Sequence, residues 1–181
     1  MADHAGWAVL MTVASDGTLL DRRRVELVDD ALPKLPYHHD AQGLPIDEAV
    51  ALIARVRLSA ETHAAACLDA LTAAVPIKIA GIAIRACPPL PDTDAERISD
   101  YRSQNVADTV MYRAALAQAA EARGWAVHWY EAKRVFDEAA RVLRLETIDK
   151  FLKKTGDALG PPWRKDHRTA MAAAIAATPE R

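Results

Sequence analysis

The run from Ile77 to Ala86 (IKIAGIAIRA) constrains the fold more than any other stretch of the chain. Its apolar side chains fall on both faces of an extended segment, as in a central parallel strand covered by helices on each side. Pro88-Pro89-Leu90-Pro91 stops it. A parallel strand needs a crossover, and helical patterns stand on either side of this one. Ala49, Leu52, Ile53, Val56, Ala60, Ala64, Cys67, Leu68 and Leu71 follow helical spacing up to Pro76. Beyond, Thr93 and Glu96 form a capping box that opens a helix carrying Val106, Val110, Ala114 and Ala117, with a break expected near Arg102–Gln104 and Gly124 as the stop. Trp125–Glu131 then reads as a second parallel strand.

Ahead of this unit, Trp7–Ala14 and Thr18–Val28 are strand-like, and Ser15-Asp16-Gly17 between them has turn chemistry, so the two form a hairpin. Asp29 to Pro45, with three prolines and two histidines, is a long loop. After the second parallel strand, Val135, Phe136, Ala139, Val142 and Leu143 mark an amphipathic helix, and Ile148, Phe151 and Leu152 a shorter one. Gly160-Pro161-Pro162-Trp163 punctuates the chain before an alanine-rich helix that starts at Asp166. This order of elements describes an α/β mixed sheet, an antiparallel hairpin followed by parallel strands, flanked by helices in a single domain spanning 1–181.

Composition narrows the function classes. With 23 Lys and Arg against 25 Asp and Glu, the net charge of -2 gives no bulk attraction to nucleic acid, so a basic surface would have to be local. No run reaches the length of a membrane span and the N-terminus lacks a signal-peptide pattern, so no membrane partner and a cytoplasmic location are expected. Cys67 and Cys87 have no metal-ligand spacing and read as free thiols.

The segment His128-Trp129-Tyr130-Glu131-Ala132-Lys133-Arg134-Val135 and the closing Asp166-His167-Arg168-Thr169-Ala170-Met171-Ala172 resemble the RuvC-like, Holliday-junction resolvase branch of the RNase H-like superfamily. In the first, an aromatic residue precedes a lysine at a strand-to-helix junction; in the second, an acid opens a small-residue helix lying against the active centre. The resemblance implies an RNase H-like sheet with three antiparallel strands, the third expected in Leu32–Tyr37 or missing. It also implies nucleic-acid chemistry with Mg²⁺ or Mn²⁺. Such enzymes place acids on the first strand, at the end of the central strand and on the last helix, because two metal ions need several carboxylates. Trp7–Ala14 carries no acid, the central strand ends in Arg85-Ala86-Cys87, and Thr169 stands where the closing motif repeats its acid. The centre is therefore expected to be degenerate.

Asp166 is the retained acid, and equally a good helix N-cap. Its expected catalytic partners are His167, Glu131 and His4, since a histidine serves as a base near neutral pH. Asp3 beside His4, and His38, His39 and Asp40 in the long loop, are further ligand sources; a metal site would draw on Asp166, His38 and His39, against which stands the difficulty of two adjacent histidines chelating one ion. Lys133 and Arg134 are placed to meet a phosphate at a helix start, or simply to be solvated. Arg22, Arg23 and Arg24 alternate faces and are expected to pair with Asp21, Glu26 or a neighbouring strand. A nucleotide-binding actin-like domain would need a glycine-rich phosphate loop that Asp16-Gly17 does not supply. Two functions stand: a divergent metal-dependent nuclease or nucleic-acid-binding protein, and a non-catalytic interaction or regulatory module, as a homodimer through an exposed helix.

Overall fold

The computed structural model describes residues 1–178. It is a mixed α/β structure with a three-stranded antiparallel sheet, a two-stranded parallel sheet and six α-helices among the described residues. Strand β1 spans Ala2–His4, β2 Trp7–Val13 and β3 Leu19–Glu26, paired in the order β1-β2-β3. Strand β4, Gly81–Arg85, pairs in parallel with β5, Ala126–Tyr130.

The third antiparallel strand is thus at the amino end and not in Leu32–Tyr37, which is loop leading into a π-helical turn, Pro36–Asp40. The short ADH segment becomes a strand because Gly6, at φ 75°, takes a left-handed conformation that closes a tight turn onto Trp7, setting Ala2 opposite Val9. A Cβ there would also meet Lys34 and Val28.

The two sheets meet edge to edge. The Met1 amine donates to the Ala83 carbonyl at 2.7 Å, and Tyr130 Oη donates to the Met1 carbonyl at 2.7 Å. Arg113 reaches both Asp3 and the carbonyl of Ala86, so β1 and β4 run the same way.

Helices cover both faces. On one lie α1 (Ile46–Ala74) and α3 (Tyr101–Glu121), which bury Ile53, Leu68, Leu116 and Tyr112 against Leu10, Leu27 and Ile84. Each such side chain contributes about 1.5–3 kcal/mol by leaving water. The break before α3 falls at Asp100, after the short α2 (Asp94–Ser99), because the Asp100 carboxylate accepts the Ser103 N–H and caps a new helix. The Thr93–Glu96 capping box forms as expected.

On the other face lie α4 (Val135–Val142), α5 (Asp149–Leu159) and α6 (Lys165–Ala176). Ala170, Met171, Ala172, Ala173 and Ile175 of α6 are fully buried against Val9, Met11 and Ala83. Alanines bring this helix close to the strands, and the approach sets where its amino end sits.

Candidate functional site

Successive side chains of a strand point to opposite faces, and β1 uses this to build two different ion pairs. Asp3 faces α3, where Arg113 Nε lies 2.8 Å from its Oδ2. Both side chains are almost fully enclosed, 3% and 7% exposed, and Arg113 also donates to the Ala86 carbonyl at 3.2 Å. Cys87 follows, its thiol pushed up by burial, with Arg113 opposing.

His4 faces α6. Its Nε2 lies 3.3 Å from Asp166 Oδ2, with the side chains 36% and 34% exposed. The contact is too poorly aligned for a hydrogen bond, and Nε2 has no such partner among the described residues. The imidazole stacks on the Trp7 indole, centroids 3.9 Å apart and planes within 5°, and the Arg24 guanidinium covers the indole's other side at 3.9 Å. A cation over an indole face is attractive by about 0.5–1 kcal/mol at exposed sites. Glu26 Oε1 accepts from Arg24 Nε at 2.9 Å and fixes the outer layer. The result is a four-part stack, Glu26–Arg24–Trp7–His4, ending on Asp166.

Asp166 is not the helix cap. The helix begins one residue earlier, with Arg164 at the cap position and no side-chain cap, so the carboxylate in the first turn is free to turn toward His4. His167, next along, is half-buried beside Trp163, and its Nδ1 accepts the Arg164 backbone N–H at 3.4 Å. Burial holds its pKa below the usual histidine range; the Arg22 and Arg164 charges lower it further and Asp166 opposes them. Arg22 donates to the Gly160 and Pro162 carbonyls at 3.2 and 3.0 Å, tying β3 to the segment that delivers α6. Arg23 and Arg24 pair with Asp21 and Glu26 as expected.

The remaining expected residues lie elsewhere. His38 and His39 sit on the π-helical turn against α3, on the opposite face from α6, with rings 4.3 Å apart and edge-on to each other. That turn is held by Asp108, whose two oxygens accept the Tyr37 and His38 backbone N–H groups at 3.0 and 3.1 Å. Burial pushes the Asp108 carboxyl up to about 6 despite those bonds. Glu131 is exposed just beyond β5, where its carbonyl starts the turn into α4. Lys133 and Arg134 are exposed on that turn, Arg134 pairing 3.4 Å from Glu138 within its own helix. Of the residues expected around Asp166, the structure brings His4 to it and carries His167 beside it on α6.

Two metal ions about 3.5–4 Å apart need several carboxylates converging on them. Here Asp3 is neutralised by Arg113, Asp166 faces an imidazole, and β4 runs out into Ala86 and Cys87. Among the described residues no group of three His, Cys, Asp or Glu side chains converges, and the donor set does not fit a two-metal centre. No helix among them is long and apolar enough to cross a membrane.

Sequence reasoning set Asp3 ahead of the first strand as a possible ligand source and missed its place on β1, its Arg113 partner and the Trp7–Arg24 stack. The acid-glycine spacing of Asp3 and Gly6 was the available signal. No known protein family matches the chain, and no curated protein or solved structure matches it either.

Proposed function

We propose that this protein is an RNase H-like domain whose acidic centre is replaced by a His4–Asp166 pair, and that it binds nucleic acid and acts on a phosphodiester there. The strand order that results if β1 is read as the bridge between the sheets, β3-β2-β1-β4-β5, supports the lineage, as does a closing helix laid against β1 and β2. The approach of Asp166 Oδ2 to His4 Nε2 carries the functional reading. A carboxylate beside Nε2 favours the tautomer with its proton on that nitrogen, which leaves the Nδ1 lone pair as the general base. Asp166 is then the positioning residue and stabilises the imidazolium that forms. The Trp7 indole fixes the ring plane. Arg164 and Lys165, exposed at the start of α6, supply a local basic surface that the net charge of -2 conceals, while Arg168 is paired with Asp149 at 2.6 Å.

The test is cleavage of single-stranded and branched DNA and RNA, with chelator and with added Mn²⁺ or Mg²⁺. Activity that survives chelator and falls at least tenfold in both His4→Ala and Asp166→Asn is expected. Activity that appears only with metal and persists in His4→Ala would refute the pair as the centre.

The buried Asp3–Arg113 pair favours a second reading, a non-catalytic module of the same fold, because it closes off the carboxylate that a nuclease would hold open. Binding to nucleic acid or to a second copy of the chain, with no cleavage under any condition above, selects this reading.

A further inference from the structure

His4 and Asp166 can take up one proton and steady one imidazole. Cleaving a phosphodiester with water asks for more than that. The water must be held in line with the leaving oxygen, deprotonated, and driven onto a phosphate that is already negative, which is the task of two-metal centres. The acids nearest the pair are engaged in other contacts. Asp3, beside His4 on β1, lies 2.8 Å from Arg113, and Glu26, at the outer end of the stack, accepts from Arg24 at 2.9 Å.

Only one nitrogen of the His4 ring is left to meet a substrate. Nε2 is enclosed against Asp166, while the side chain as a whole is 36% exposed. Nδ1 is what remains, and an imidazole nitrogen is a base near neutral pH. A linkage that carries its own nucleophile needs little else from the protein. In RNA the 2′-hydroxyl adjoins the phosphate on its 3′ side, and DNA lacks that group. Well-oriented attack from within one molecule reaches an effective molarity of about 10⁵–10⁸ M, so no bound water has to be positioned.

We propose, resting on the reading of His4 and Asp166 as the acid-base pair, that the substrate of this site is RNA and that the strand is cut by its own 2′-hydroxyl. His4 Nδ1 takes the hydroxyl proton as the 2′-oxygen bonds to phosphorus. The bond from phosphorus to the 5′-oxygen breaks, and that oxygen leaves with the electron pair and takes a proton from solvent. The products are a 2′,3′-cyclic phosphate and a 5′-hydroxyl. No water is consumed and nothing is oxidised or reduced. The imidazolium beside Asp166 then returns its proton to solvent. Arg164 and Lys165, exposed and immediately before Asp166 in the chain, supply positive charge for the phosphates of the bound strand.

The probes are three end-labelled single strands of one mixed sequence, made as RNA, as DNA and as 2′-O-methyl RNA, each incubated with the whole protein and chelator. The RNA is expected to be cut, and mass spectrometry of the fragments to show 2′,3′-cyclic phosphate and 5′-hydroxyl ends. DNA and the 2′-O-methyl strand should be cut more slowly by roughly 10²-fold or more, because neither has a free 2′-hydroxyl. His4→Ala should slow RNA cleavage by roughly 10²–10⁴-fold, the contribution of a general base. The 2′-O-methyl strand keeps the test decisive on the wild type if that variant does not fold. DNA cut as fast as RNA, or RNA fragments ending in a 3′-hydroxyl and a 5′-phosphate, would overturn RNA as the substrate. If that cleavage is still lost in His4→Ala, the pair stands as the centre and only its substrate is wrong. Absence of cleavage on all three strands overturns the substrate and the pair together.

Discussion

The two sides of β1 hold one acid-base pair each, and they are built in opposite ways. Asp3 and Arg113 are buried, aligned at 2.8 Å and supported by a third group, the Ala86 carbonyl. His4 and Asp166 are about one-third exposed, 3.3 Å apart and out of line. The first arrangement satisfies its charges and leaves them nothing else to do. The second leaves His4 Nε2, an enclosed atom of a part-exposed ring, without a hydrogen bond among the described residues. Adjacent residues of one strand thus differ: one ties the sheet edge to α3, the other has its ring plane set by stacking on Trp7.

The largest effect should come from opening the closed pair. Arg113→Ala leaves the Asp3 carboxylate buried without a partner and is expected to cost about 3–5 kcal/mol, measured by denaturant unfolding. If Arg113→Ala costs less than 1 kcal/mol, the pair is not the anchor described here. Next is the tether on the open side. A Cβ on Gly156 would run into the Trp163 ring, so Gly156→Ala is expected to cost about 1–3 kcal/mol in unfolding free energy, with Trp fluorescence reporting the displaced indole. Asp166→Asn should lower stability by less than about 1 kcal/mol, as an exposed pair contributes little, while cleavage or binding falls. A stability loss as large as that of Arg113→Ala would erase the distinction between the two sides.

The smallest effect is a pH dependence at His167. Its folded pKa lies below the unfolded value, so the neutral ring's contribution is present above the unfolded value and is lost as pH falls through the folded one. Unfolding midpoints of wild type and His167→Gln, followed from pH 7.5 down to 5, should therefore draw together as the wild type loses its advantage. A gap that widens on acidification would contradict a neutral His167 accepting the Arg164 N–H.

Much of the sheet was legible because its signals are local. The Ser15-Asp16-Gly17 turn, the alternation in β3 and the Thr93–Glu96 box depend on residues near one another, and each appears where the pattern places it. Strand β4 is shorter than the apolar run suggests, since alternation says what could pair and not whether a neighbour is present. Strand β1 escaped because three residues carry no periodicity; its existence follows from Gly6 and from β2 and β4 on either side. The site followed the same division. Asp166 and His4 could be named as partners, yet the role of Asp3 required Arg113, which lies 110 residues away and reads on its own helix as one more polar position. The proposed use of Glu131, His38 and His39 rested on residue type alone, and the topology sends them to different places.

The alanine floor of α6 makes the His4–Asp166 spacing a mechanical readout of events further along the helix. Ala170, Ala172 and Ala173 are buried and have no flexible side chain to absorb an added methyl group, and α6 is packed between β2 and α4, so enlarging one of them shifts the whole rod against those neighbours. The carboxylate one turn away moves with it, and the imidazole, clamped on its indole, stays behind. A substitution that never touches the pair can in this way detune it.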